Sequence, residues 1–134
     1  MPRALLVDDE PGIRIAMKRW FERQGFVAAE AADGNQALDL LLEVNDVDGP
    51  PDVIVCDIHL PGMSGCELVA RLSAERPDLV SRVILTTGDA VDYAAPDSVL
   101  ATHPFVLQKP FELATLKAMV ERVRVAALRD ILAT

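Results

Sequence analysis

The chain predicts a three-layer α/β/α fold around a five-stranded parallel sheet, and three observations carry that prediction. Short runs rich in β-branched residues alternate with longer segments of helical period, the pattern of βα units. Several of the apolar runs stop abruptly at polar residues, at Asp8-Asp9, at Asp57 and at Thr87-Gly88. The length, 134 residues, is that of one domain with a core of useful size.

The elements follow in order. A first strand, Ala4 to Val7, ends at Asp8-Asp9, and Pro11 sits where a first helical turn tolerates a missing N–H. Ile13, Met17, Trp20, Phe21 and Gln24 then recur at helical spacing, and Gly25 stops the helix. A weak second strand, Phe26 to Glu30, leads to Asp33-Gly34 and to a second amphipathic helix marked by Ala37, Leu38, Leu41 and Leu42. Asp46 to Pro51 reads as a polar loop.

The third strand, Val53 to Cys56, reaches Asp57, after which Pro61-Gly62-Met63-Ser64-Gly65 turns the chain into a helix carrying Leu68, Val69 and Leu72. Val83 to Thr86 is the fourth strand, entered after Pro77. Pro96 interrupts the next helical pattern, so the fourth helix, within 90–103, is expected to be short or irregular. A fifth strand, Phe105 to Leu107, precedes Lys109-Pro110. A long last helix starts near Glu112, with Leu113, Leu116, Val120, Val123, Ala127 and Ile131 on one stripe. The whole chain, 1–134, is expected to be one domain.

Composition excludes several classes of function. Thirteen basic against 21 acidic side chains leave a net charge of −8, which would repel a phosphate backbone, so direct nucleic-acid binding is not expected. No apolar stretch approaches the roughly 18 residues that span a bilayer, and the Met-Pro-Arg start is unlike a secretion signal, so a cytoplasmic protein without membrane attachment is expected. Cys56 and Cys66 lack any CxxC spacing and read as ordinary thiols, Cys56 as core packing beside Asp57.

In an open parallel sheet, ligands gather at the carboxyl ends of strands where the order reverses, and the order 2-1-3-4-5 sets the first and third strands side by side there. Asp8, Asp9 and Asp57 would then meet as a site for a hard cation, with Thr87 and Lys109 on the same rim. Each residue alone has a plainer reading: Asp8-Asp9 as a helix cap, Thr87 as a satisfied strand-end hydroxyl, Lys109 as a solvated charge, Ser64 as the cap of the third helix. Their joint order is what favours a site.

Four segments carry a family resemblance: Leu6-Val7-Asp8-Asp9-Glu10, Asp57 with Leu60-Pro61-Gly62-Met63-Ser64-Gly65, Leu85-Thr86-Thr87-Gly88, and Leu107-Gln108-Lys109-Pro110-Phe111. Over residues 3 to about 125 the chain resembles a response regulator receiver domain, the phosphoacceptor module of two-component signalling, which has a flavodoxin-like sheet. The resemblance implies that Asp57 takes a phosphoryl group from a sensor histidine kinase or a histidine phosphotransfer protein. It implies Mg²⁺, with Mn²⁺ as an alternative, on Asp8, Asp9, Asp57 and the His59 backbone carbonyl. Thr87 and Lys109 would contact phosphoryl oxygens, Gly88 would leave room for the group, and Lys109-Pro110 would be a cis peptide. Three ionised aspartates repel an incoming phosphoryl group, and a divalent cation with one ammonium cancels their charge.

On this reading the chain is a signalling phosphoacceptor, promoting only its own phosphorylation and dephosphorylation, and not an enzyme. His59 and Asp89, each two residues past a site residue, are candidates for tuning dephosphorylation. Two positions depart from the family pattern: Val106 stands where many receivers carry an aromatic switch residue, with Phe105 expected to pack inward instead, and Pro96 breaks an output-face helix. Alternatives are a degenerate receiver acting as a phosphorylation-independent interaction module, and a haloacid dehalogenase-like phosphohydrolase. The latter requires a second Asp two residues after the first, where this chain has His59.

Overall fold

The computed structural model describes residues 1–43, 49–88 and 102–133. Five strands, β1 (Arg3–Val7), β2 (Val27–Ala31), β3 (Val53–Asp57), β4 (Val83–Thr87) and β5 (Val106–Gln108), pair in parallel in the order β2-β1-β3-β4-β5. The predicted order is the observed one. Because every strand runs the same way, all five carboxyl ends lie on one rim.

Side-chain alternation divides the sheet into two cores. Leu5, Val7, Ile54, Cys56, Val83 and Leu85 face α2 (Gly34–Leu42) and α3 (Gly65–Glu75), where Leu38, Leu41, Leu68 and Leu72 close the packing. Ala4, Leu6, Val53, Val55, Ile84 and Leu107 face α1 (Pro11–Arg23) and the final helix. Strands β3 and β4 are buried along their whole length, as central strands covered on both faces must be.

Local chemistry sets the helix ends. Pro11 opens α1, and Gly25, at φ +89°, makes the left-handed turn after Gln24 that a side chain would resist. Buried Phe21 holds Trp20 and Phe26 edge to face at 4.9 and 5.1 Å, pairs worth about 0.5–1.5 kcal/mol beyond their burial. Asp33 caps α2 by accepting the Gln36 N–H, and Ser64 caps α3 by accepting the Glu67 N–H, so Ser64 is the cap its position predicted.

The structure corrects several expectations. Strands β2 and β5 each begin and end one residue later than predicted, at Val27–Ala31 and Val106–Gln108. A short helix, α4 (Pro77–Val80), precedes β4 and buries Leu79; four residues are too few to display a helical period, so Pro77 read only as a punctuation mark. Leu42 is exposed, because α2 ends there and the sheet lies under the Leu38-Leu41 side. In α5 (Leu113–Ala133) the buried stripe is Leu116, Val120 and Val123, whereas Leu113 and Ile131 are exposed. The helix outruns the short strands it covers. Residues 90–101, where the fourth helix was expected, and residues 46–48 of the 46–51 loop fall outside the described residues.

Phe105 is buried among the α5 side chains with the Arg122 guanidinium 5.6 Å from its ring centre, and Arg124 stands 5.4 Å from Phe26. Phe105 therefore packs inward as expected, and Val106 is only partly buried on the opposite face. Among the described residues no helix is long and apolar enough to cross a membrane.

Just before β5, His103 donates from Nε2 to the Val83 carbonyl at 2.5 Å, tying the chain entering β5 to the start of β4. Burial lowers the imidazole pKa below its ordinary 6.5, and the Val83 hydrogen bond offsets this only in part. With the folded value depressed, the unfolded chain takes up the proton first, so stability is expected to decline as pH falls below about 6.5. Denaturant melts from pH 7.5 to 5.5 check this, and His103→Gln should flatten that part of the profile.

Candidate functional site

Parallel register explains why the polar residues converge. Leu6 and Val55 pair across β1 and β3, Asp57 pairs with Thr86, and Thr86 with Leu107. Residues in register share a face, so two residues beyond Leu6, Val55 and Leu107 the chain places Asp8, Asp57 and Lys109 on the α1/α5 side of the rim. The apolar runs below them are the scaffold.

Asp8 is fully buried, Asp57 is 6% exposed, and Asp9 is open to solvent. One carboxylate oxygen from each lies within 4.8 Å of the others. The Lys109 ammonium bridges the two buried acids, 2.7 Å from Asp57 Oδ2 and 3.2 Å from Asp8 Oδ2. Burial pulls the Lys109 pKa down, but the hydrogen bond and charge of Asp57, reinforced by Asp8, outweigh it and hold the ammonium above its ordinary 10.5. It stays protonated.

Backbone donors fix the remaining oxygens. The His59 N–H donates to Asp57 Oδ1 at 3.0 Å and the Glu10 N–H to Asp8 Oδ1 at 2.9 Å, so each buried carboxylate has a donor on both oxygens. The His59 side chain is exposed. Gly65 lets the loop after β3 close: its N–H donates to the Ile58 carbonyl at 3.0 Å, and a Cβ there would lie 2.6 Å from the Asp57 carbonyl oxygen. Lys109 is anchored in turn by its own N–H, which donates to the Thr87 carbonyl at 2.7 Å, and the Lys109-Pro110 bond is cis.

Thr87 is buried at the end of β4, directly after Thr86 and beside the anchored backbone of Lys109. A Cβ on Gly88 would meet nothing within 4 Å among the described residues. Asp89 lies outside them. Burial, with the Asp57 charge adding to it, pushes the Cys56 thiol far up, so Cys56 is an inert core side chain.

Sequence reasoning missed Arg14 and Glu30. Arg14 donates from Nη1 to the Asp8 carbonyl at 2.7 Å and from Nε to Glu30 at 3.1 Å, and Lys18 stands 3.6 Å from Glu30. This brace ties α1 to the acid-bearing turn. Glu30 shares the sheet face of Asp8 through its register with Leu6, the one sequence-level signal that could have found it.

Three carboxylates with an open side at Asp9 are the oxygen-only donor set that Mg²⁺ prefers. This acidic pocket carries an ammonium on its inner side. The chain belongs to the response regulator receiver domain family. The family model of that name matches residues 4–121. The receiver is similar to sporulation initiation phosphotransferase F of Bacillus subtilis, 30% identical over 90% of this chain and 91% of that protein. It is also similar to the sensor kinase CckA of Brucella abortus, 33% identical over 88% of this chain but only 12% of that much longer protein. Among solved structures, the response regulator protein TrrA of Thermotoga maritima in complex with Mg²⁺ and BeF superposes with a TM-score of 0.70 at 27% identity, covering 92% of this chain and 99% of that one.

Proposed function

We propose that this receiver takes a phosphoryl group on Asp57 from a phosphohistidine, in a reaction that requires Mg²⁺, and relays its state through the β4 end. The observation that carries the reading is the ammonium of Lys109 between Asp57 and Asp8, beside an exposed third carboxylate. Asp57 is the nucleophile: a carboxylate can form a reactive acyl phosphate whose lability suits a reversible signal. Asp8, Asp9, Asp57 and the His59 carbonyl would hold the cation, which supplies charge neutralisation for the transferring group.

The rest is done by the chain itself. The His59 N–H orients one oxygen of Asp57, Lys109 holds positive charge where phosphoryl charge develops, and the Thr87 hydroxyl with the Gly88 backbone receives the group from β4. Moving a two-state equilibrium from 1:99 to 99:1 takes about 5.5 kcal/mol of differential stabilisation, within reach of a few charge-assisted hydrogen bonds. A sensor histidine kinase or histidine phosphotransfer protein is the donor, in line with the sensor kinase and phosphotransferase names of the relatives.

The test is transfer from a purified phosphohistidine donor. Wild type should drain the donor's label only with Mg²⁺ present. A folded Asp57→Asn variant that drains it equally would remove Asp57 from this role.

A further inference from the structure

Thr86 is 1% exposed, and its Oγ1 has no hydrogen-bond partner among the described residues. Burying an unpaired hydroxyl is unfavourable, so a partner is expected in some other state of the molecule. Its location names that partner. Thr86 is in register with Asp57 on β3 and with Leu107 on β5, so its side chain stands on the same face as Asp57 and Lys109. To reach Asp57 and Asp8 from the end of β5, Lys109 must cross over β4, the strand that carries Thr86.

An ammonium has three N–H donors, and two are directed at Asp57 and Asp8. A cation on these carboxylates would compete with the ammonium for their oxygens, and an anionic group on Asp57 would draw it to its own, so the three N–H donors must be re-aimed around the new group. The Thr86 hydroxyl, buried on the face that the lysine crosses, offers a neutral acceptor for one of them. We propose that Thr86 is a positioning residue for Lys109, its Oγ1 accepting a hydrogen bond from the ammonium when the site holds its cation and phosphoryl group. The proposal rests on the phosphoacceptor reading above. It gives β4 two hydroxyls with separate tasks, Thr87 toward the phosphoryl group and Thr86 toward the lysine.

The test compares wild type, Thr86→Val, which keeps the shape without the hydroxyl, and Thr86→Ser, which keeps the hydroxyl. Each is melted without ligand and titrated with beryllofluoride in Mg²⁺, a phosphoryl mimic, alongside Asp57→Asn. Thr86→Val should melt higher than wild type when empty, since it removes the unpaired group, yet bind beryllofluoride about tenfold more weakly, with Thr86→Ser restoring most of the affinity. Wild-type affinity in Thr86→Val, or no recovery in Thr86→Ser, would overturn the role of Thr86 and leave the phosphoacceptor reading standing. A folded wild type that binds beryllofluoride no better than Asp57→Asn would overturn both.

Discussion

Replacing Lys109 by Met is expected to slow phosphorylation of the receiver by about a hundredfold, the usual loss when one preorganised donor is removed from developing charge. The empty protein should also lose about 1–3 kcal/mol of stability, because two buried carboxylates are left facing each other without their shared cation. The figure sits below the 3–5 kcal/mol typical of a fully buried pair, since the Lys109 side chain keeps 20% of its surface exposed. Coupling separates this from a generic packing loss. In an Asp57→Asn background the same substitution should cost markedly less, because one of the two repelling charges has gone. Urea melts of the four proteins check it; equal costs in both backgrounds would contradict the account.

The second large effect falls on Gly65. A methyl group there would stand 2.6 Å from the Asp57 carbonyl oxygen and 2.8 Å from the Ile58 Cα, both backbone atoms of the segment that carries the site. Neither can yield by a rotamer change, so Gly65→Ala should push the loop after β3 outward, lower stability by about 1–3 kcal/mol and weaken Mg²⁺ binding several-fold. Gly12→Ala is the matched control. Its Cβ meets nothing within 4 Å among the described residues, and in the first turn of α1 the change should be neutral or stabilising by up to about 1 kcal/mol. A Gly65→Ala protein as stable as wild type would show that the loop does not depend on that close approach.

Much of this was legible in the sequence because the two signals involved are strong and local. Apolar runs ending in acids gave β1 and β3 with their rim residues, and the alternation of strands with helical stripes gave the parallel sheet and its order. Ser64 and Gly25 declared helix ends through chemistry that leaves few substitutes. What stayed hidden depends on geometry between distant segments. The Arg14–Glu30 brace joins α1 to β2, and neither residue breaks a pattern. The one-residue offset of β5 is set by pairing with β4, since Leu85 registers with Val106, and a three-residue strand has no period of its own. α4 is a single turn held by burial of Leu79, which tertiary packing decides.

Thr86 is the instructive case. In the sequence it is only the last residue of the fourth strand, and the register of β4 with β3 shows that it shares a side with Asp57. The same assignment accounts for Phe105. An aromatic one residue earlier than the family's switch position points to the opposite core, where it packs under α5 against Arg122 and leaves Val106 on the other side.

The central claim is that the carboxylate of Asp57 is the atom group that receives phosphate, with the acid cluster binding the cation that makes this feasible. The most direct measurement is the intact mass of the protein after incubation with a small phosphodonor such as phosphoramidate, with and without Mg²⁺, for wild type and Asp57→Asn. A single phosphoryl adduct that forms in wild type only with Mg²⁺, and is absent from Asp57→Asn, is the predicted result. An adduct of equal extent in the variant, or none in a folded wild type while a known receiver is labelled in parallel, would contradict it.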